Sequence, residues 1–287
     1  QSVTFTRTVR GVITVEKERV YPGSRQTVTL MLTDAAGNPV SGERVDWHTD
    51  SGNLWQTQGT TDAQGRTTST WESTTPGTAT ITADAYGQQY TAPVITVMPA
   101  LTVSSVTGID ATGADGKNFG KRVPNSTWPG AKFRIDTENA AGTVTWTASS
   151  PAVSISGNVM TVKSNPAGVT LTGTDADGQT VTLNMGSNWF AQSATKWEWL
   201  NGDYDGTAIY SCRQLGAQVA SSGALQGVIS EWGELETYEG WTNLKNNWLY
   251  SSTTVVSGNG VKSTIAYLFP GGKEGLLTGI RGYYACR

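Results

Sequence analysis

Apolar residues fall on every second position through much of the first 187 residues. The segments QTVTLMLTD (26–34), ERVDWHTD (43–50), RTTSTWES (66–73) and GTATITAD (77–84) each put alternate side chains on one side of an extended chain. Between them, AAGNPVSG, DAQG and TTPG concentrate the Gly, Pro, Asn and Asp that turns require. Short strands separated by such turns, with no helix between them, predict a β-sandwich over 1–99. The same grammar returns in KFRIDTE (132–138), GTVTWTASS (142–150), GNVMTVK (157–163) and GVTLTGTDADG (168–178). Val144-Thr145-Trp146 echoes Val45-Asp46-Trp47, and GVTLTGTD echoes GTATITAD. A second sandwich is therefore expected over 100–187, joined to the first near Met98-Pro99 as a stiff rod.

The period changes after Asn188. Leu225, Val228, Ile229, Trp232 and Leu235 recur at helical spacing and define one apolar face, with Ser221 or Ser222 as the cap. DGTAIYSCRQLG suggests a shorter helix with Ile209, Cys212 and Leu215 on one side. Beyond it, NWLYSST, KSTIAYLFP and GIRGYYACR return to strand patterning. Helices followed by strands predict a compact α+β domain over 188–287, the tip of the rod.

Composition removes several function classes. The formal charge is −3 and no basic cluster occurs, which argues against nucleic acid as a partner. No run of about 18 apolar residues exists to span a membrane as a helix. A single histidine, His48, leaves no base for a nucleophile triad, and neither a G-x-S-x-G elbow nor a phosphate-binding loop is present. His and Cys are too few for a zinc cluster. Glu231 and Glu234 are neighbours on the polar side of the helix, so they are expected to be solvated, as are Glu236 and Glu239. A glycosidase pair instead flanks a cleft. NGDYDG (201–206) and TDADG (174–178) are acidic turns without the distal glutamate of a calcium loop, and read as plain turns. Neither an enzyme nor a cofactor is expected.

Cys212 and Cys286 are the only cysteines. A disulfide between them would staple the chain end and imply an oxidising, extracellular setting; the alternative is two separate buried thiols. Six of the eleven tryptophans lie beyond Asn188, together with seven of the ten tyrosines, more aromatic surface than a domain of that size is expected to hide. Trp232 belongs to the apolar helix face and is assigned to the core, whereas Trp241 is assigned to the surface. Protein binding is the reading, with Tyr238, Glu239, Trp241, Asn243, Lys245, Asn246 and Trp248 as contacts, joined by Asp203, Tyr204 and Asp205. The rivals are a carbohydrate-binding module and a self-associating structural segment.

The run SCRQLGAQVASSGALQGVISEWGELETYEGW, with NNWLYSST and a terminal YYACR, resembles the C-terminal domain of the intimin and invasin adhesins, nearer invasin than intimin. VTLMLTDAAGNPVSGERVDW and GTTDAQGRTTSTWESTTPGTATITA resemble a family-1 bacterial Ig-like repeat. GADGKNFGKRVPN, AKFRID and VTWTASSPAVSISGN resemble the Ig-like domain beneath an invasin tip. The resemblance implies two tandem Ig-like sandwiches and a C-type lectin-like tip closed by a Cys212–Cys286 disulfide. It also implies an outer-membrane, cell-surface setting, with an N-terminal β-barrel anchor outside this sequence as the sole membrane element. The implied partner is a host cell-surface or secreted protein, whether an integrin, another receptor or an immunoglobulin, bound without calcium by a monomer. Integrin-binding members carry an aspartate where Gly240 stands here, which points to a different host protein.

Overall fold

The computed structural model describes residues 8–196, 211–258, 262–269, 271–277 and 282–287. They divide into two compact units, Gln1–Ala100 and Leu101–Arg287.

In the first unit, Val9–Val15, Arg25–Asp34, Arg66–Glu72 and Asn53–Leu54 form one sheet in that order. Gln88–Thr91, Ile81–Ala85, Arg44–Thr49 and Gln58–Thr60 form a second, and Arg19–Val20, Ile95–Val97 and Gly77–Ala79 a third. The alternation seen in the sequence is the burial pattern. Val28, Leu30 and Leu32 face inward from one strand, Trp71 from its neighbour, and Val45, Trp47, Ile81 and Ala83 from the opposing sheet. No cysteine bridges the sheets, so apolar burial at about 25 cal/mol per Å² holds them together.

The second unit begins with the same architecture. Asp115–Asn118, Thr102–Ile109, Lys132–Glu138, Val159–Val162 and Val153–Ser156 make a five-stranded sheet, facing Thr145–Ala148, Thr170–Thr174 and Thr180–Asn184. Each unit sets its echoed tryptophan opposite a small residue of the paired strand: Trp47 pairs with Ala83 and Trp146 with Gly173, the seventh residue of GTATITAD and the sixth of GVTLTGTD. Small partners are needed because each indole lies over its neighbouring strand; a Cβ on Gly173 would come within 3.0 Å of the Trp146 ring.

After residue 187 the chain does not leave this sandwich cleanly. Asn188–Trp189 pairs in parallel with Ser126–Thr127 of the sandwich. A second five-stranded sheet follows, in the order Gln192–Lys196, Tyr283–Cys286, Trp248–Val256, Lys262–Leu268, Lys273–Leu277. The helix α1, Ser222–Trp232, lies against it. Ser221 caps α1 by accepting the Ala224 N–H at 3.3 Å, and Gly233 ends it at φ +78°. Leu225, Val228, Trp232 and Leu235 are buried, the face the periodicity marked. Residues 211–214 are helical, while the rest of the expected shorter helix lies outside the described residues. Cys212 and Cys286 form a disulfide that ties this turn to the last strand. One continuous hydrophobic core runs from Val103 to Ala285, so sandwich and tip are built around a common interior.

Candidate functional site

The segment from the last turn of α1 to Asn247 is where the tip meets the sandwich, and it sorts the expected contact residues into two groups. Trp232 and Trp241 straddle Trp128 of the sandwich, with ring centroids 4.6 and 5.5 Å away. Phe119 and Tyr238 each stand 4.8 Å from Trp232, edge-on, and Phe190 stands 5.9 Å from Trp241. Edge-to-face packing of this kind adds about 0.5–1.5 kcal/mol per pair beyond burial. The assignment of Trp241 and Tyr238 to the surface is therefore corrected. Both are buried, at 0% and 2% exposure, because the sandwich supplies the apolar wall that the tip alone lacks.

Three of the polar ring atoms are used for alignment, while the Trp241 Nε1 is buried without a hydrogen-bond partner. The Trp232 Nε1 donates to the Ser126 carbonyl at 2.8 Å, and the Trp128 Nε1 donates to the Glu239 carbonyl at 2.6 Å. The Lys117 N–H donates to the Tyr238 hydroxyl at 2.7 Å, and burial holds that phenol above its ordinary pKa. The Ala111 N–H reaches the Thr237 carbonyl at 2.9 Å. Next to that contact, the Asp110 carboxyl is held below the usual carboxylate range by the Thr112 hydroxyl and the Ala114 N–H.

Glu231 is the second correction. It was read as solvated and is not: its side chain is 11% exposed. Its two carboxylate oxygens accept the N–H groups of Asn125 and Ser126 at 2.6 and 2.8 Å, with Arg122 at 3.5 Å. Consecutive helix residues thus take both backbone groups of Ser126, its N–H by Glu231 and its C=O by Trp232. Glu236 also departs from expectation, since one of its carboxylate oxygens is buried without a hydrogen-bond partner. Sequence reading missed Phe119, Asn125, Ser126 and Trp128 altogether. Their trace was Gly108 and Gly116, isolated glycines in strands, a pattern that marks close approach. A Cβ at Gly108 would lie 3.0 Å from the Trp232 ring, and one at Gly116 would collide with the Tyr238 hydroxyl.

On this buried base sits a short exposed loop. Leu244, fully buried, pins it from beneath. The Leu244 N–H bonds the Trp241 carbonyl, the Asn246 N–H bonds the Phe269 carbonyl, and the Asn247 amide donates to the carbonyls of Asn243 and Lys245. Glu239, Asn243, Lys245 and Asn246 remain exposed, and Trp248 is half-buried against Gly275. The loop holds a fixed shape before any partner arrives, which lowers the entropic cost of association. Asp203, Tyr204 and Asp205 lie outside the described residues.

Gly240 has a local explanation. Its φ is +83°, and a Cβ there would run into the Ser193 hydroxyl and stand 3.4 Å from Trp128. TDADG is a closed turn: Asp175 accepts the N–H groups of Ala141, Asp177 and Gln179 at 2.9–3.0 Å, and these bonds hold its carboxyl below the usual range.

Residues 23–98 match the bacterial Ig-like domain family (group 1). Over 265 residues, 88% of its length, the chain is 25% identical to intimin from Citrobacter freundii, of which it covers 27%. It is 23% identical over 254 residues to intimin from Escherichia coli O127:H6, covering 25% of that protein. The chain thus spans about a quarter of the length of these curated relatives. Among solved structures, it is similar to the C-terminal 282-residue fragment of intimin, crystallised in complex with the intimin-binding domain of the translocated intimin receptor. The TM-score is 0.60 at 22% identity, covering 98% of this chain and 99% of that one. The fold is accordingly the mainly β architecture expected, Ig-like domains followed by a lectin-like tip. Over most of its length the chain is thus similar to intimin, and these likenesses support reading it as a fragment of the intimin/invasin family.

Proposed function

We propose that this chain is the receptor-binding portion of a bacterial cell-surface adhesin, carried on the outer membrane and exposed to the host. Its tip attaches to a host protein through the loop of Glu239, Asn243, Lys245 and Asn246, with Trp248 at its margin. Read by domain, 1–99 and 100–187 are Ig-like spacers and 188–287 is the tip. The observation that carries this reading is the construction of the loop, with exposed polar side chains fixed on a buried aromatic base. The backbone carbonyls of Asn243 and Lys245 are tied to Asn247, so the side chains above them present a preformed pattern. Binding requires no calcium in this reading, because the contacts are side-chain hydrogen bonds and charge at the rim of a protein interface.

The test is capture of host surface proteins by the immobilised 287-residue chain, beside the triple variant N243A/K245A/N246A and with EDTA in a parallel arm. A protein retained by the parent, unaffected by EDTA and lost at least about tenfold in the variant supports the loop. Equal retention by the variant moves the site elsewhere. Loss in EDTA, or competition by free glycans, replaces the reading with a calcium-dependent or lectin mechanism.

A further inference from the structure

Thr180–Asn184 is an edge of the three-stranded sheet, paired only with Thr170–Thr174. The hairpin between them sets which backbone groups face outward. The Asp175 N–H bonds the Gln179 carbonyl at 3.0 Å, and the Met185 N–H bonds the Val169 carbonyl at 2.9 Å. Antiparallel ladders alternate, so Gly173 exchanges bonds with Val181 and Leu171 with Leu183. The backbone N–H and C=O groups of Thr180, Thr182 and Asn184 therefore point away from the sheet. No hydrogen bond satisfies them among the described residues.

Natural edges are protected by charge, proline or a bulge. Three other edge strands carry such charge, Asp115 and Lys117 on one, Lys273 and Glu274 on another, Arg10 on a third, whereas Gln58–Thr60, Gln88–Thr91, Thr145–Ala148 and Val153–Ser156 are edges without it. The strand Thr-Val-Thr-Leu-Asn has no charged residue, no proline and no break in its register. Its core-facing residues, Val181 and Leu183, are only half-buried, since no strand covers their outer side.

We propose that Thr180–Asn184 is a self-association edge whose partner is the same strand of a second copy of this chain, antiparallel about a twofold axis at Thr182. The sequence is self-complementary in that register. Thr182 faces its own copy, Thr180 faces Asn184, and each pair exchanges both backbone hydrogen bonds. Val181 meets Leu183 of the second copy on the core side, completing the burial that each edge leaves undone. A single strand pair covers far less than the roughly 800 Å² per partner of a stable interface, so the contact is weak in dilute solution. It becomes populated where copies are crowded together.

The test uses the whole 287-residue chain. Sedimentation of the parent from about 10 μM to about 1 mM, the range of weak association, is expected to show mass rising from monomer toward dimer. T182P removes the outward N–H without breaking an internal bond, as proline does on an edge. It is expected to weaken dimerisation by roughly tenfold or more with an unchanged melting temperature. Because the described structure has no free cysteine, single thiols report register. T182C should cross-link to a disulfide dimer under mild oxidation, and N184C, displaced from its own copy by the same pairing, should not. A parent that stays monomeric throughout, equal cross-linking at 182 and 184, or undiminished association of T182P would each overturn the proposal.

Discussion

Glu231 and Gly240 show how single residues fix the junction between tip and sandwich. The Glu231 carboxylate, on a side chain only 11% exposed, holds two adjacent backbone N–H groups. In E231A both donors lose their partner. An unmet buried donor costs about 1–3 kcal/mol, and of the two residues only Ser126 is buried, so a loss of about 1–2 kcal/mol from the unfolding free energy of residues 101–287 is expected in urea titrations. E231Q, which retains one acceptor, should lose less. Gly240 carries a conformation that L residues resist and has no room for a Cβ. G240D is expected to cost of order 1–3 kcal/mol from backbone strain alone, before any clash with Ser193. Placing an aspartate at this position should therefore lower the melting temperature, which a thermal melt of G240D beside the parent measures.

At the scale of elements, much of the structure comes from one device repeated. Asp34-Ala35-Ala36-Gly37, Asp62-Ala63-Gln64-Gly65, Asp110-Ala111-Thr112-Gly113 and Asp175-Ala176-Asp177-Gly178 are the same turn. In each, the aspartate side chain accepts the N–H groups two and four residues on. Each glycine then takes a φ between +74° and +90°. Asx bonding and positive φ are local properties, which is why these hairpins could be read directly from Asp and Gly. The disulfide is an element-scale constraint of another kind. It links residues 74 apart and joins the 211–214 turn to the final strand. Closing a loop of that length removes about 4 kcal/mol of unfolded-state entropy. Reduction by dithiothreitol should lower the urea midpoint of the second unit and leave that of residues 1–100 unchanged. A common shift of both transitions would contradict the assignment of the bond's effect to one unit.

For the whole molecule, the consequence is cooperativity within residues 101–287. Removing 188–287 would strip Trp128 and Phe119 of Trp232, Tyr238 and Trp241. Loss of one large aromatic partner costs about 3–5 kcal/mol, and a domain holds only about 5–15. A 101–187 fragment is expected to bind a hydrophobic dye and to lack a sharp melt, whereas a 1–100 fragment should unfold in one cooperative step. A cooperative melt of 101–187 at the parent's temperature would show that the shared core contributes little. Tip deletions are for the same reason unsuitable for mapping binding, and surface substitutions in the 243–246 loop are the cleaner probe.

The amino-acid sequence by itself determined the strands, many of their turns, the apolar face of α1 and a serine cap at its start. All of these follow from period, from local hydrogen bonding and from backbone preference within a few residues. It did not determine which aromatic rings would be exposed, nor that Glu231 would leave water. Trp241 and Tyr238 look like surface residues because their own neighbours are polar, and Trp128, the ring that packs against both, lies more than 100 positions earlier in the chain. Burial is a property of what folds against a residue, so only the tertiary structure decided that the aromatics form the base of the site and that the polar loop above them is the face left to a partner.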